Sequence, residues 1–155
     1  MVPHIRRARP EESRLLTELA VRSKAYWGYD DSFMESARPE LEFQANKFLP
    51  DFHIYILEEE GVPLGFCSLI PVNSNTVELH DLFVEPRQIG KGYGTQLWNY
   101  TVNVARSLGF DRILFTADPN AGPFYARQGA VRIGEKVSPV RPDRGLPMME
   151  YILAG

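Results

Sequence analysis

Three groups of residues in this chain have types and spacings suited to chemistry. The first is the stretch Val84-Glu85-Pro86-Arg87-Gln88-Ile89-Gly90-Lys91-Gly92-Tyr93-Gly94-Thr95. Glycine at every second position frees the backbone from Cβ bulk, so successive amide N–H groups can turn inward and form an anion-binding concavity. A helical pattern starts near Thr95, and its unpaired N–H groups and positive dipole end add to the same cradle. Strand, glycine turn and helix N-terminus together suit a pyrophosphate, with Lys91 and Arg87 as the nearby cations. The second group is Glu78, His80 and Asp81, three titratable residues in four positions of the apolar run Val77 to Val84. Such density on a mid-sheet strand is unusual, because buried charges need partners. Glu78 and His80, two apart, share a strand face, whereas Asp81 points the other way. The third group is the short helical segment Asn120 to Ala130, which carries Asn120, Phe124 and Tyr125 and is closed by Gly129.

The elements that must position these groups read as follows. A short edge strand over His4 to Arg9 lies between Pro3 and Pro10, and Pro10-Glu11-Glu12 opens an amphipathic helix on Leu15, Leu16, Leu19 and Ala20. Asp31 and Ser32 can cap a second helix, which Pro39 interrupts before Leu41, Phe43 and Phe48 resume an apolar pattern, a short or kinked segment. Strands over Phe52 to Leu57, Val62 to Ile70 and Thr76 to Val84 form an antiparallel meander, with Glu58-Glu59-Glu60-Gly61 a solvated turn. After the glycine turn, Leu97, Thr101, Val104, Ala105 and Leu108 make one helical stripe that ends at Gly109. Arg112 to Thr116 is a strand reached by a right-handed crossover, hence parallel to the strand before it. Ala130 to Ile133 and Met148 to Leu153 are the last strands, joined by an exposed loop, Ser138 to Pro147, that bears Arg141 and Arg144. The order β-α-α-β-β-β-α-β-α-β-β gives an α+β fold with a mixed, mostly antiparallel central sheet flanked by helices.

Composition narrows the field. A length of 155 residues with 44% hydrophobic and 24% charged content suits one soluble globular domain over 1–155. A net charge of −3 argues against a general nucleic-acid-binding role. The single cysteine, Cys67, excludes an intramolecular disulfide and a cysteine-based zinc cluster, and its apolar surroundings read as an inert core thiol. No run approaches the ~18–20 apolar residues of a membrane span, and no apolar segment follows the basic Met1 to Arg7 as a secretory signal would require. A cytoplasmic protein without membrane or nucleic-acid partners is the expectation. The glycine spacing 90, 92, 94 does not fit a dinucleotide-binding G-x-G-x-x-G, Asp111 precedes the next strand instead of ending it, and no Gly-Lys-Ser/Thr marks a P-loop.

Leu82-Phe83-Val84-Glu85-Pro86 with Gly90-Lys91-Gly92-Tyr93-Gly94, followed by Asn120 to Ala130, resembles the two signatures of the GNAT superfamily of acetyl-CoA-dependent N-acetyltransferases. The likeness covers most of the chain and is tightest from Glu78 to Tyr151. One position departs from it: the family favours Gln or Arg three residues before the middle glycine, where this chain has Ile89 beside Gln88. The resemblance implies that the backbone of Leu82, Phe83 and Val84 pairs with the pantetheine arm of acetyl-CoA. It implies that Ile89, Gly90, Lys91, Gly92, Tyr93, Gly94 and Thr95 hold the pyrophosphate and that Asn120 bonds a pantetheine amide. A backbone N–H of Leu82 or Phe83 would receive the oxyanion. Tyr125 is similar to the family's general acid, and Glu78, directly or through water, to its base, with His80 the rival because its free pKa lies nearest neutrality. The acceptor would be a primary amine of a small molecule or peptide, bound near Trp27, Tyr29, Phe33 and the loop of Arg141 and Arg144. It would attack directly in a ternary complex, with no metal. The late strands permit a homodimer. A catalytically silent acetyl-CoA-binding sensor is the alternative.

Overall fold

The computed structural model describes residues 3–43, 48 and 50–153. Strand β1 (His4–Arg7) leads through a 3-10 turn at Pro10–Glu12 into α1 (Ser13–Ala25), and α2 spans Asp31–Leu41. The cap of α2 is Asp30, one residue before those expected, and its carboxylate accepts from the Phe33 N–H at 2.8 Å. Pro39 lies inside α2 and does not break it. It sits in the last turn, where its missing N–H deprives only the Glu35 carbonyl before the helix ends at Leu41. Of the apolar pattern that resumes there, residues 44–47 and 49 lie outside the described residues, as do Met1 and Val2. The remaining elements are β2 (His53–Glu59), β3 (Val62–Pro71), β4 (Thr76–Val84), α3 (Tyr93–Ser107), β5 (Arg112–Thr116), α4 (Gly122–Arg127), β6 (Val131–Val137) and β7 (Gly145–Ile152). This is the expected order.

The strands form one sheet in the order β1-β2-β3-β4-β5-β7-β6, with β4 and β5 parallel and every other pair antiparallel. The β2–β3 turn shrinks to two residues, Glu60 and Gly61, both at positive φ (51° and 78°), the backbone that matches strand twist in a tight hairpin. Glu58 and Glu59 therefore belong to β2. Glu58 is buried, not solvated, because Arg6 on the adjacent strand donates to it at 2.9 Å. That guanidinium also clamps Glu12, and it holds both carboxyls below the usual carboxylate range. The β6–β7 hairpin is longer than expected, since residues 134–137 pair with residues 145–148 and leave only a short connection. Ser138 is buried in that connection, and its hydroxyl accepts from the amides of Val140 and Arg141.

Each face of the sheet carries its own apolar layer. Leu16, Leu19, Ala20, Phe33, Ala37 and Leu41 of α1 and α2 pack on Ile54, Ile56 and Phe66. On the other face Leu97, Trp98, Val102 and Ala105 of α3, with Tyr125 of α4, pack on Cys67, Leu69, Val77 and Ile113. The α3 stripe is wider than the expected one. It takes in Trp98 and Val102, whereas Leu108, at the C-terminal cap, is exposed. Trp98 stands edge-on to Phe115, Tyr125 and Tyr151 at 5.2–5.8 Å, so it braces the strand and helix that flank the site.

Candidate active site

The site begins where two parallel strands part. β4 pairs with β5 only at Thr76 to Glu78, opposite Arg112 to Leu114. Beyond Glu78 the strands diverge, and a cleft of about 1000 Å³ opens between Leu79–Val84 on one side and Phe115–Asp118 on the other. The Glu85 N–H donates to the Leu64 carbonyl of β3 at 2.8 Å. Because peptide groups alternate along an antiparallel ladder, Phe83 also turns its N–H and C=O toward β3, while Leu82 and Val84 turn theirs toward the cleft. Of the two amides that could serve an oxyanion, only that of Leu82 points into the open space.

The glycine turn closes one end of this cleft. Pro86–Gln88 forms a 3-10 turn, Gly90 and Gly92 adopt φ of 89° and 88°, and α3 starts at Tyr93, two residues earlier than expected. Gly94 is helical, so its role differs from that of the other two. A Cβ there would stand 3.3 Å from the Phe124 ring, and the missing side chain lets α3 and α4 approach. Ile89 and Lys91 donate back to the carbonyls of Pro86 and Gln88. The N–H groups of Gly90, Gly92, Tyr93, Gly94 and Thr95 make no backbone hydrogen bond among the described residues, and those of the first helical turn carry the positive dipole end. Gln88, Ile89, Gly90, Gly92, Gly94 and Thr95 line the cleft; Lys91 and Tyr93 do not. Lys91 bonds Gln88 at 3.1 Å instead.

The titratable strand residues are arranged differently from the simple alternation. Ser68 faces Asp81 and Leu69 faces Leu79, so His80 is an extra residue, a β-bulge. The bulge reverses the phase of everything after it. Asp81 comes to the face that holds Glu78, opposite to the expectation, and accepts from the buried Ser68 hydroxyl at 2.6 Å. His80 Nδ1 lies 3.1 Å from Glu78 Oε2, and this contact leads the causes that hold the Glu78 carboxyl below its usual range. All three residues line the cleft. Across from them Tyr125 is 6% exposed, its ring packed on Phe115 at 4.6 Å and Phe124 at 5.1 Å. Burial, and next the Asp81 charge, push its phenol well above the ordinary value, so it stays protonated. Its hydroxyl makes no hydrogen bond among the described residues.

The aromatic group divides. Trp27 is 42% exposed and lines the cleft, whereas Tyr29 and Phe33 do not. Those two rings stack on each other at 4.0 Å beneath Arg144, and Arg141 lies over Phe33. Arg144 is engaged within the protein: it bonds the Tyr29 hydroxyl and pairs with Asp118 at 3.4 Å. Asn120 does not cap α4, whose first turn follows Ala121. Asp118, Lys24 and Lys136 of the lining were not anticipated. Asp118 stands two residues before Asn120 and was within reach of sequence reasoning; Lys24 on α1 carries no local signal.

A family model described as the acetyltransferase (GNAT) family matches residues 17–130. Several solved structures share the whole fold. A GCN5-related N-acetyltransferase from Rhodopseudomonas palustris has a TM-score of 0.80 at 22% identity, over 99% of this chain and 97% of that one. The PaiA N-acetyltransferase from Thermoplasma acidophilum, solved in complex with coenzyme A, has a TM-score of 0.76 at 20% identity over 98% and 99%. The YncA protein of Salmonella typhimurium, a putative acetyltransferase solved with acetyl-CoA, has a TM-score of 0.71 at 20% identity over 100% and 96%. No curated protein matches the sequence.

Proposed function

This chain belongs to the acetyltransferase (GNAT) family, and we propose that it transfers the acetyl group of acetyl-CoA to a primary amine of a small molecule or peptide. The observation that carries this reading is the strand splay next to the glycine turn. An unpaired strand edge at Leu82 and Val84 suits the amides of a pantetheine arm, and the free amides of Gly90, Gly92, Tyr93, Gly94 and Thr95 suit the pyrophosphate without any side-chain charge. The coenzyme A and acetyl-CoA bound in two of the similar structures support the same donor.

The reaction is direct attack in a ternary complex. Cys67, the chain's single cysteine, is fully buried and its thiol is pushed up to about 12 by desolvation, which suits no acyl carrier. The Glu78 carboxyl, held below its usual range first by its contact with His80 Nδ1, is a weak base, so His80 is assigned the proton of the incoming ammonium. The amine nitrogen then bonds the thioester carbon, and the Leu82 N–H receives the oxygen as charge develops on it. When the C–S bond breaks, Tyr125 gives its phenolic proton to the departing thiolate, and the second proton that the acylated nitrogen sheds passes through solvent to restore the phenol. Trp27 forms part of the acceptor wall, whereas Tyr29 and Phe33 stack on each other outside the cleft lining. The exposed Val131, Ile133 and Val137 of edge strand β6 support a homodimer through that edge. The ternary mechanism is tested by initial rates with both substrates varied. Intersecting double-reciprocal lines are expected, and parallel lines, the mark of an acetylated enzyme intermediate, would contradict it.

A further inference from the structure

Three segments remote in sequence meet at one carboxylate. Asp118, between β5 and α4, accepts from Lys24 of α1, from the Tyr29 hydroxyl at 2.8 and 3.0 Å, and from the backbone N–H of Asn120 at 2.8 Å. It also accepts from Asn120 Nδ2 at 3.0 Å and pairs with Arg144 of the β6–β7 connection. The Tyr29 hydroxyl is used to capacity: it donates to Asp118 and accepts from Asn120 Nδ2 at 2.9 Å and from Arg144. A carboxylate so fully engaged is not available as a base. Burial alone would push its carboxyl up, but Lys24, the Asn120 amide and Tyr29 together hold it below the ordinary range, so it remains an anion.

The consequence falls on Asn120, which lines the cleft. Its amide nitrogen donates to the Tyr29 hydroxyl and to Asp118 Oδ1, and an ionised carboxylate can only accept. The side chain cannot flip without setting its carbonyl oxygen against the carboxylate. Its oxygen makes no hydrogen bond among the described residues and is left to accept from a donor on the ligand.

We propose that Asp118 is a positioning residue that fixes the Asn120 amide with its oxygen offered to an N–H group of the donor arm, and that it ties this orientation to the acceptor side through Lys24, Tyr29 and Arg144. The inference rests on the reading of the cleft as a coenzyme A site. It makes Asn120 selective for an N–H donor in the ligand, and it makes the loop that carries Trp27 and the β6–β7 connection parts of donor recognition although neither is part of the glycine turn.

A double-mutant cycle on the full chain tests it, with coenzyme A itself as the probe in calorimetric titration. Asp118→Asn and Asn120→Ala should each raise Kd about tenfold, the size of one lost hydrogen bond. In the Asn120→Ala background, Asp118→Asn should change Kd by less than about twofold, because the residue it acts through is gone. Unfolding midpoints of all four proteins separate loss of fold from loss of orientation. If Asp118→Asn does not fold, Tyr29→Phe, which keeps the carboxylate and removes one acceptor of the amide, should raise Kd about threefold in the parent and leave it unchanged in the Asn120→Ala background. An equal Asp118→Asn effect with and without Asn120, or no effect at all, overturns the inference while the coenzyme A reading stands. Failure of the parent protein to bind coenzyme A overturns that reading and the inference with it.

Discussion

Replacing Tyr125 with Phe separates catalysis from stability. The ring of Tyr125 packs between Phe115 at 4.6 Å and Phe124 at 5.1 Å with Trp98 at 5.8 Å, and Phe preserves every one of these contacts. The hydroxyl at its tip makes no hydrogen bond among the described residues and sits in a residue only 6% exposed. An under-satisfied buried hydroxyl costs roughly 1–3 kcal/mol, and this one keeps partial access to the cleft, so its removal is neutral or stabilising. At ~2–4 °C per kcal/mol for a chain of this size, the unfolding midpoint should stay within ~1 °C or rise by up to ~4 °C. Loss of a general acid costs about 10²–10⁴ in kcat, whereas acetyl-CoA affinity should change less than about threefold. Because burial raises the phenol above its ordinary pKa of about 10, the parent's kcat should show no descending limb up to about pH 10. The assay is thiol release at saturating acetyl-CoA with an accepted amine, run beside thermal unfolding. A kcat within about threefold of the parent, or a basic limb below about pH 9, would refute the assignment.

Gly92→Ala should lower the unfolding midpoint by roughly 2–8 °C, because φ of 88° costs an L-residue about 1–2 kcal/mol and nothing within 4 Å of the added Cβ can compensate. The same strain tilts the amides of the turn, so coenzyme A affinity should fall with it; unchanged affinity in calorimetry would show that the amides are not the pyrophosphate site. His80→Gln should lower kcat/KM by about 10²–10⁴ and Glu78→Gln by less, since the carboxylate only holds the imidazole. The reverse order in steady-state rates would make Glu78 the base. Arg6→Ala should destabilise the protein at neutral pH. The Glu12 and Glu58 carboxyls are depressed by Arg6, so their contribution is present above the unfolded carboxylate pKa and is lost as pH falls through the folded values. The gap between mutant and parent midpoints should therefore narrow below about pH 4, and a constant gap down to about pH 3 would contradict the linkage.

The fold, and the grouping of the glycine turn with the Asn120–Tyr125 segment around one cleft, were largely legible because their signals are local. The glycine turn, the amphipathic stripe after it and the Asn120–Tyr125 segment each lie within one or two elements, and the element order follows from them. The features that escaped are non-local. Nothing in Val77 to Val84 marks His80 as a bulge, since a bulge depends on the partner strand's register, and that one extra residue carried Asp81 to the opposite face. Glu58 looked like a hairpin tip because its partner, Arg6, lies in another strand far upstream. The α3 stripe was drawn too narrow, as a helix lying on a sheet buries a wide arc that admits Trp98 and Val102. The cluster around Asp118 joins three distant segments, and only its Asn120 end had a recognisable context.

The central claim is acetyl transfer from coenzyme A to an amine at the mouth of the β4–β5 splay. It is tested most directly by incubating the protein with acetyl-CoA and a panel of amines, amino acids, polyamines and peptides, then measuring released thiol and the mass of the acceptor in the same sample. The account predicts that at least one primary amine gains the mass of a single acetyl group in step with thiol release, and that Tyr125→Phe abolishes both together. Tight coenzyme A binding with no thiol release and no acetylated product on any amine would contradict it, and would make this cleft a sensor of the cofactor instead of a site of transfer.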